Sequence, residues 1–225
     1  MAIDLEGPSC APLSCGKAVY LVVLLHGRGA NGDDIIDLAL NWQPILPKAE
    51  FLALNAPFPC DPAPRGRQWF DVESPETMLA ALRAAADMLD RALDELMARR
   101  RLEPSHLALV GFSQGATLAL HAGLRRKERI GAIVAFSGAL HGAEALNAEI
   151  RSRPPVLLVH GEADAVVPFT ALDMARAALE AAQAPVTAIA RPKLGHAIDD
   201  ESVSAAGEFL LGALKTRKAA SEEAH

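Results

Sequence analysis

At 225 residues and 51% hydrophobic, the chain is long enough for one domain, at most two, burying roughly 70% of its unfolded surface without staples. Its 22 Lys and Arg against 28 Asp and Glu give a formal net charge of −6, which argues against nucleic acid as a partner. Cys10, Cys15 and Cys60 make an odd count with no CxxC and no histidine at metal spacing, so free thiols in a reducing, cytoplasmic compartment are expected and no metal site.

Residues 1–17 contain Asp4, Glu6, Gly7, Pro8 and Pro12. No basic start leads into an apolar core, so no signal peptide is expected, and the segment reads as an N-terminal extension. The longest apolar run, Ala18 to Leu25, is far too short to span a membrane. It is apolar at every position, as suits a central parallel strand covered on both faces. It enters His26-Gly27-Arg28-Gly29-Ala30-Asn31-Gly32, where three glycines allow close backbone approach. Ile35 to Leu40 then reads as a short helix capped by Asp33 or Asp34.

Phe51-Leu52-Ala53-Leu54 is the next strand. From Asn55 to Gln68 the chain is rich in proline and has no periodicity, and long loops of this kind are usually functional. Trp69-Phe70-Asp71 closes it. Ser74-Pro75-Glu76 supplies an N-cap, a proline at the first helical position and an acidic first turn. The helix it opens runs to about Arg100, with Leu82, Leu89, Leu93 and Leu96 on one side. Arg99-Arg100-Arg101 and Arg125-Arg126-Lys127 end helical patterns, where they complement the helix dipole.

Leu107-Ala108-Leu109-Val110 is a buried strand, and Gly111-Phe112-Ser113-Gln114-Gly115 follows it into a helix. This is G-x-S-x-G in the strand–turn–helix setting that a nucleophile elbow requires. Ser137 also follows a Phe after an apolar run, but alanines occupy its two flanking positions, so it reads as a strand-end residue. Further strands are expected at Ala132–Phe136, Pro155–His160 and Val186–Ala190. Helices are expected at Phe169–Gln183 and Asp199–Leu214, the latter capped by Asp199 or Asp200. Residues 216–225 read as a frayed tail. Alternating strands and helices without a linker imply one α/β domain, a mostly parallel sheet with helices on both faces, with its site at the carboxyl ends of the strands.

A serine hydroxyl needs a base to become a nucleophile. Downstream, Gly161-Glu162-Ala163-Asp164 and Gly195-His196 both fall in loops at the expected end of the sheet. Asp164 and His196 are therefore the acid and base, with Glu162 the competing acid and His141 a base that spacing does not exclude. Cys60, in Pro59-Cys60-Asp61-Pro62, is a nucleophile candidate without an elbow.

Leu-His-Gly-x-Gly, Gly-Phe-Ser-Gln-Gly, Gly-x-x-Asp-x-Val-Val-Pro and Gly-His-x-Ile, in this order across residues 18–211, resemble the phospholipase/carboxylesterase family, which includes the acyl-protein thioesterases. The resemblance implies an α/β-hydrolase fold without a large cap domain. It implies catalytic Ser113, Asp164 and His196, and oxyanion donors at the backbone N–H groups of Leu25 and Gln114. Arg67-Gln68-Trp69-Phe70-Asp71 resembles the family segment beside the acyl site, so Trp69 and Phe70 are expected to bind substrate, the alternative being that both rings fill the core under the loop. The implied activity is a serine carboxylesterase acting on an ester or lipid-like substrate without a cofactor, and a pocket without a cap domain, mostly open to solvent, is expected to favour short- to medium-chain esters. Lysophospholipase or thioesterase activity is the alternative, and a non-catalytic binding protein the remote one. Dimers are common among the proteins it resembles, which makes a homodimer one possible state.

Overall fold

The strands grow from the apolar runs. The computed structural model describes residues 5–61, 63, 65–72 and 74–222. Its elements are β1 (Glu6–Cys10), β2 (Tyr20–Leu25), α1 (Leu38–Trp42), β3 (Ala49–Leu54), β4 (Phe58–Pro59), β5 (Arg67–Gln68), α2 (Pro75–Arg100), β6 (Leu107–Phe112), α3 (Gln114–Arg125), β7 (Ala132–Phe136), α4 (Leu146–Glu149), β8 (Val156–Gly161), α5 (Thr170–Ala181), β9 (Val186–Arg191) and α6 (Asp200–Glu222).

Among the described residues, seven strands form one sheet in the order β1-β3-β2-β6-β7-β8-β9. All neighbours pair in parallel except β1, which lies antiparallel on β3 at the edge. Alternation explains why β2 is apolar throughout. Leu21, Val23 and Leu25 pack into one core with α2, α3 and α5, whereas Tyr20, Val22 and Leu24 pack into the other with α1 and α6. Trp42 joins the two helices of that second layer by donating its indole N–H to the Val203 carbonyl at 2.9 Å. No cap domain interrupts the described residues.

The strand order reverses between β2 and β6: the chain leaves β2 for β3 on one side, then crosses back to β6 on the other. A crevice opens outside the carboxyl ends of strands at such a point. The turn after β2 and the elbow after β6 therefore face each other across it.

Two expectations change. The N-terminal extension contains a sheet strand, β1, with Cys10 in register with Phe51. The short helix after the glycine-rich turn begins later than expected, at Leu38. It follows a 3-10 turn at Gly32–Asp34 capped by Asn31, whose side chain accepts the Asp33 N–H at 2.8 Å. The last helix is assigned over Asp200–Glu222. Residues 223–225 of the expected tail lie outside the described residues. Ser74 caps α2 as expected, and Asp199 precedes α6, accepting the Ser202 N–H at 2.9 Å.

Candidate active site

Ser113 sits between the last residue of β6 and the first of α3, with φ 54° and ψ −115°. That conformation is costly for a side-chain-bearing residue, and its surroundings hold it there. The Ser113 N–H donates to the Phe136 carbonyl at 2.9 Å, and its carbonyl accepts the Thr117 N–H at 3.0 Å. The two motif glycines allow the packing. A Cβ on Gly115 would meet the Leu25 carbonyl carbon at 2.5 Å, and one on Gly111 would meet the Ala116 backbone. Ser137 also has a positive φ, 48°, but it is buried and carries no histidine.

His196 reaches both expected partners. Its Nε2 lies 2.9 Å from Ser113 Oγ, and its Nδ1 lies 2.7 Å from Asp164 Oδ2. The second Asp164 oxygen accepts the N–H groups of Val166 and Val167, each at 2.9 Å. Burial acts to raise the Asp164 carboxyl, but the bonds from His196, Val167 and Val166 outweigh it and hold the group below the usual carboxylate range. An ionised Asp164 fixes Nδ1–H on the carboxylate side and leaves Nε2 as the lone pair facing the serine hydroxyl. The Phe112 ring packs on the imidazole, centroids 4.8 Å apart.

The rival groups lie elsewhere. Glu162 is exposed, and Cys60 is buried in the segment between β4 and β5. His141 lines the same cleft as Ser113, and burial lowers its pKa, but among the described residues His196 alone bonds Ser113 Oγ. His160 is buried at the end of β8, with Nε2 2.9 Å from the Val167 carbonyl and 3.4 Å from Asp164 Oδ2. It braces the loop that carries the acid.

Two expectations need correction. Leu25 is the last residue of β2, fully buried and in register with Leu54 on one side and Gly111 on the other. Its backbone belongs to the sheet, so its N–H does not face the cleft. Two residues further on, Gly27 lies against Ser113: a Cβ there would be 3.4 Å from the serine Cβ. Arg28 follows and lines the cleft. Trp69 is also not on the cleft wall. It is fully buried in the main core, and its indole N–H donates to the His26 carbonyl at 2.9 Å. Its backbone N–H donates to Gln114 Oε1 at 2.8 Å, while Gln114 Nε2 donates to the Phe70 carbonyl at 2.8 Å. The Gln114 side chain thus pins the end of the proline-rich loop beside the elbow. Phe70 does line the cleft.

The cleft over Ser113 has a volume of about 570 Å³. Its walls come from the loops after β2, β5, β7 and β8 and from α2, α3 and α5, and carry residues that sequence reasoning missed: Arg28, Val72, Met78, Leu140, Val166 and Met174. Val166 and Met174 are each 67% exposed. Large apolar side chains left open to water beside Ser113 are the signal that sequence alone withheld. A second apolar groove of about 510 Å³ lies between α2 and the β4–β5 ribbon and shares Phe70 with the cleft.

A family model described as Phospholipase/Carboxylesterase matches residues 14–213. Esterase YpfH of Escherichia coli is 27% identical over 195 residues, covering 86% of this chain and 82% of that protein. Acyl-protein thioesterase 1 of Aspergillus fumigatus is 27% identical over 218 residues, covering 86% and 88%. Among solved structures, that of esterase PE8 superposes with a TM-score of 0.87 at 42% identity, covering 92% of this chain and 97% of that one.

Proposed function

Because this chain belongs to the phospholipase/carboxylesterase family and is an α/β-hydrolase that cleaves carboxylic esters, we propose that Ser113, His196 and Asp164 carry its chemistry through an acyl-enzyme. The observation that carries the reading is His196 bonded at once to Ser113 Oγ and to a buried Asp164.

Ser113 Oγ attacks the ester carbonyl as His196 Nε2 takes its proton. Asp164 keeps Nδ1–H in place and stabilises the imidazolium that results. The oxyanion is held by preorganised backbone donors. One is the Gln114 N–H at the start of α3. The other, in place of Leu25, is the Arg28 N–H in the turn beside the serine. His196 then returns its proton to the leaving alkoxide. Water, activated by the same imidazole, breaks the acyl-enzyme and releases the acid.

The substrates we infer are short- to medium-chain esters. The open cleft supports this, since each buried CH₂ adds roughly 0.8 kcal/mol only while wall remains to cover it. Rates on p-nitrophenyl esters of increasing length should rise and then fall, and a monotonic rise to long chains would overturn the reading. Thioesterase activity is the second reading, favoured by the Aspergillus fumigatus relative, and matched oxo- and thioesters separate the two. We infer a cytoplasmic setting, supported by the free thiols Cys10, Cys15 and Cys60. Among the described residues no helix is long and apolar enough to cross a membrane. The homodimer suggested by the family resemblance is tested by sedimentation.

A further inference from the structure

Of the described side chains that line the Ser113 cleft, Arg28 is the one carrying a fixed charge; the other described ones are apolar or neutral apart from His141. The chain is acid-rich, and its arginines elsewhere commonly meet carboxylates. Arg83 and Arg125 hold Glu149, Arg100 holds Glu50, and Arg191 holds Asp199. Arg28 departs from this habit. Its Nε donates to the neutral amide oxygen of Gln68 at 3.0 Å, and among the described residues no carboxylate pairs with it. Of the two acids further along that turn, Asp34 is engaged elsewhere, accepting the Asn31 N–H at 2.8 Å.

The position gives the charge a purpose. Gly27 packs on Ser113, so Arg28 leaves the backbone beside the nucleophile. Gln68 belongs to β5, paired with β4 through Phe58, and its amide fixes the guanidinium stem at Nε. The two Nη groups, with four N–H donors, are left for a ligand at the mouth of a cleft whose walls are apolar. Arg28 is itself exposed, so the bond it offers is charge-assisted but screened by water and salt. An unpaired arginine beside apolar walls is poorly suited to a fully apolar ester and well suited to one that also bears an anion.

We propose that Arg28 selects esters carrying a carboxylate or phosphate group within reach of the scissile bond. The anion could sit on the acyl chain, as in a half-ester of a dicarboxylic acid, or on the alcohol, as in an acylglycerol phosphate. This inference rests on the Ser113 cleft being the active site.

Two matched pairs test it. The first is the mono-p-nitrophenyl ester of adipic acid against p-nitrophenyl hexanoate. The second is 1-octanoylglycerol 3-phosphate against 1-octanoylglycerol. The readout is the ratio of kcat/KM within each pair, which cancels any loss of active enzyme. The wild type should favour the anionic member of at least one pair, and that pair identifies the source of the anion. Arg28→Gln should lower this ratio about tenfold, the scale of a charge-assisted bond. Arg28→Lys should retain most of it, and added salt should compress it. A wild type that disfavours the anion in both pairs, or ratios unmoved by Arg28→Gln, would overturn the proposal. Ser113→Ala separates the two layers: if it is inert while the ratios stay unmoved in Arg28→Gln, only the Arg28 inference fails; if it hydrolyses like wild type, the reading of the cleft itself fails.

Discussion

Replacing Gly115 by alanine perturbs the elbow without touching a reacting atom. The added Cβ would lie 2.5 Å from the Leu25 carbonyl carbon and 2.7 Å from the His26 oxygen. Comfortable contact is about 3.5 Å or more, so the start of α3 and the end of β2 must separate by roughly 1 Å. Overpacking of this kind costs about 1–3 kcal/mol, which in a chain of this size lowers Tm by roughly 2–12 °C. The catalytic loss should be larger. Ser113 moves with α3, its bond to His196 is 2.9 Å, and a misplacement near 1 Å costs about 10²-fold in rate. Thermal unfolding followed by circular dichroism and kcat on a p-nitrophenyl ester measure both effects. Gly212→Ala is the control: nothing lies within 4 Å of its added Cβ, so helix propensity should leave it neutral or stabilised by up to about 1 kcal/mol. A Gly115→Ala enzyme with wild-type Tm and kcat would refute the steric argument for the elbow.

Ser113→Ala should lose at least roughly 10³ in kcat while Tm is kept, whereas Ser137→Ala should remain active; the reverse pattern would overturn the assignment. Trp69→Ala should destabilise by about 3–5 kcal/mol in chemical denaturation, because the ring is core, and an unmoved midpoint would contradict its burial. His121 is buried in α3, and burial, then the charge of Arg125, lowers its pKa from 6.5 to about 4. Between these values the unfolded chain holds the proton and the folded one does not, so stability is full above pH 6.5 and falls as pH drops toward 4. His121→Gln should flatten that slope by up to about 1.4 kcal/mol per pH unit, and parallel curves for the two proteins would show that His121 does not titrate there.

The elbow was legible because Gly111 and Gly115 flank Ser113 at the two positions where any side chain strikes backbone. Asp164 and His196 were legible because a parallel sheet brings the loops after β8 and β9 to the same end as Ser113. Other features turned on contacts that no local pattern records. β1 reads EGPSC, with Gly and Pro inside it, because an edge strand tolerates a missing ladder donor. The indole of Trp69 could have lined the cleft or filled the core. It fills the core because the Gln114 amide holds its backbone beside α3 and the His26 carbonyl takes its N–H. The end of β2 at Leu25 was legible in the apolar run; the oxyanion role expected of Leu25 came from the family resemblance alone, and Leu25 pairs within the sheet instead. The cleft walls were invisible for a related reason: Val166 and Met174 sit in stretches whose apolar residues would ordinarily be inside.

The most direct test of Ser113 as nucleophile uses a serine-directed fluorophosphonate, with intact mass and peptide mapping as readout. The account predicts one adduct on the wild-type chain, on the peptide carrying Ser113, no adduct on Ser113→Ala, and much slower labelling of His196→Ala. An adduct on Ser137 or Cys60, or labelling of Ser113→Ala at the wild-type rate, would contradict it.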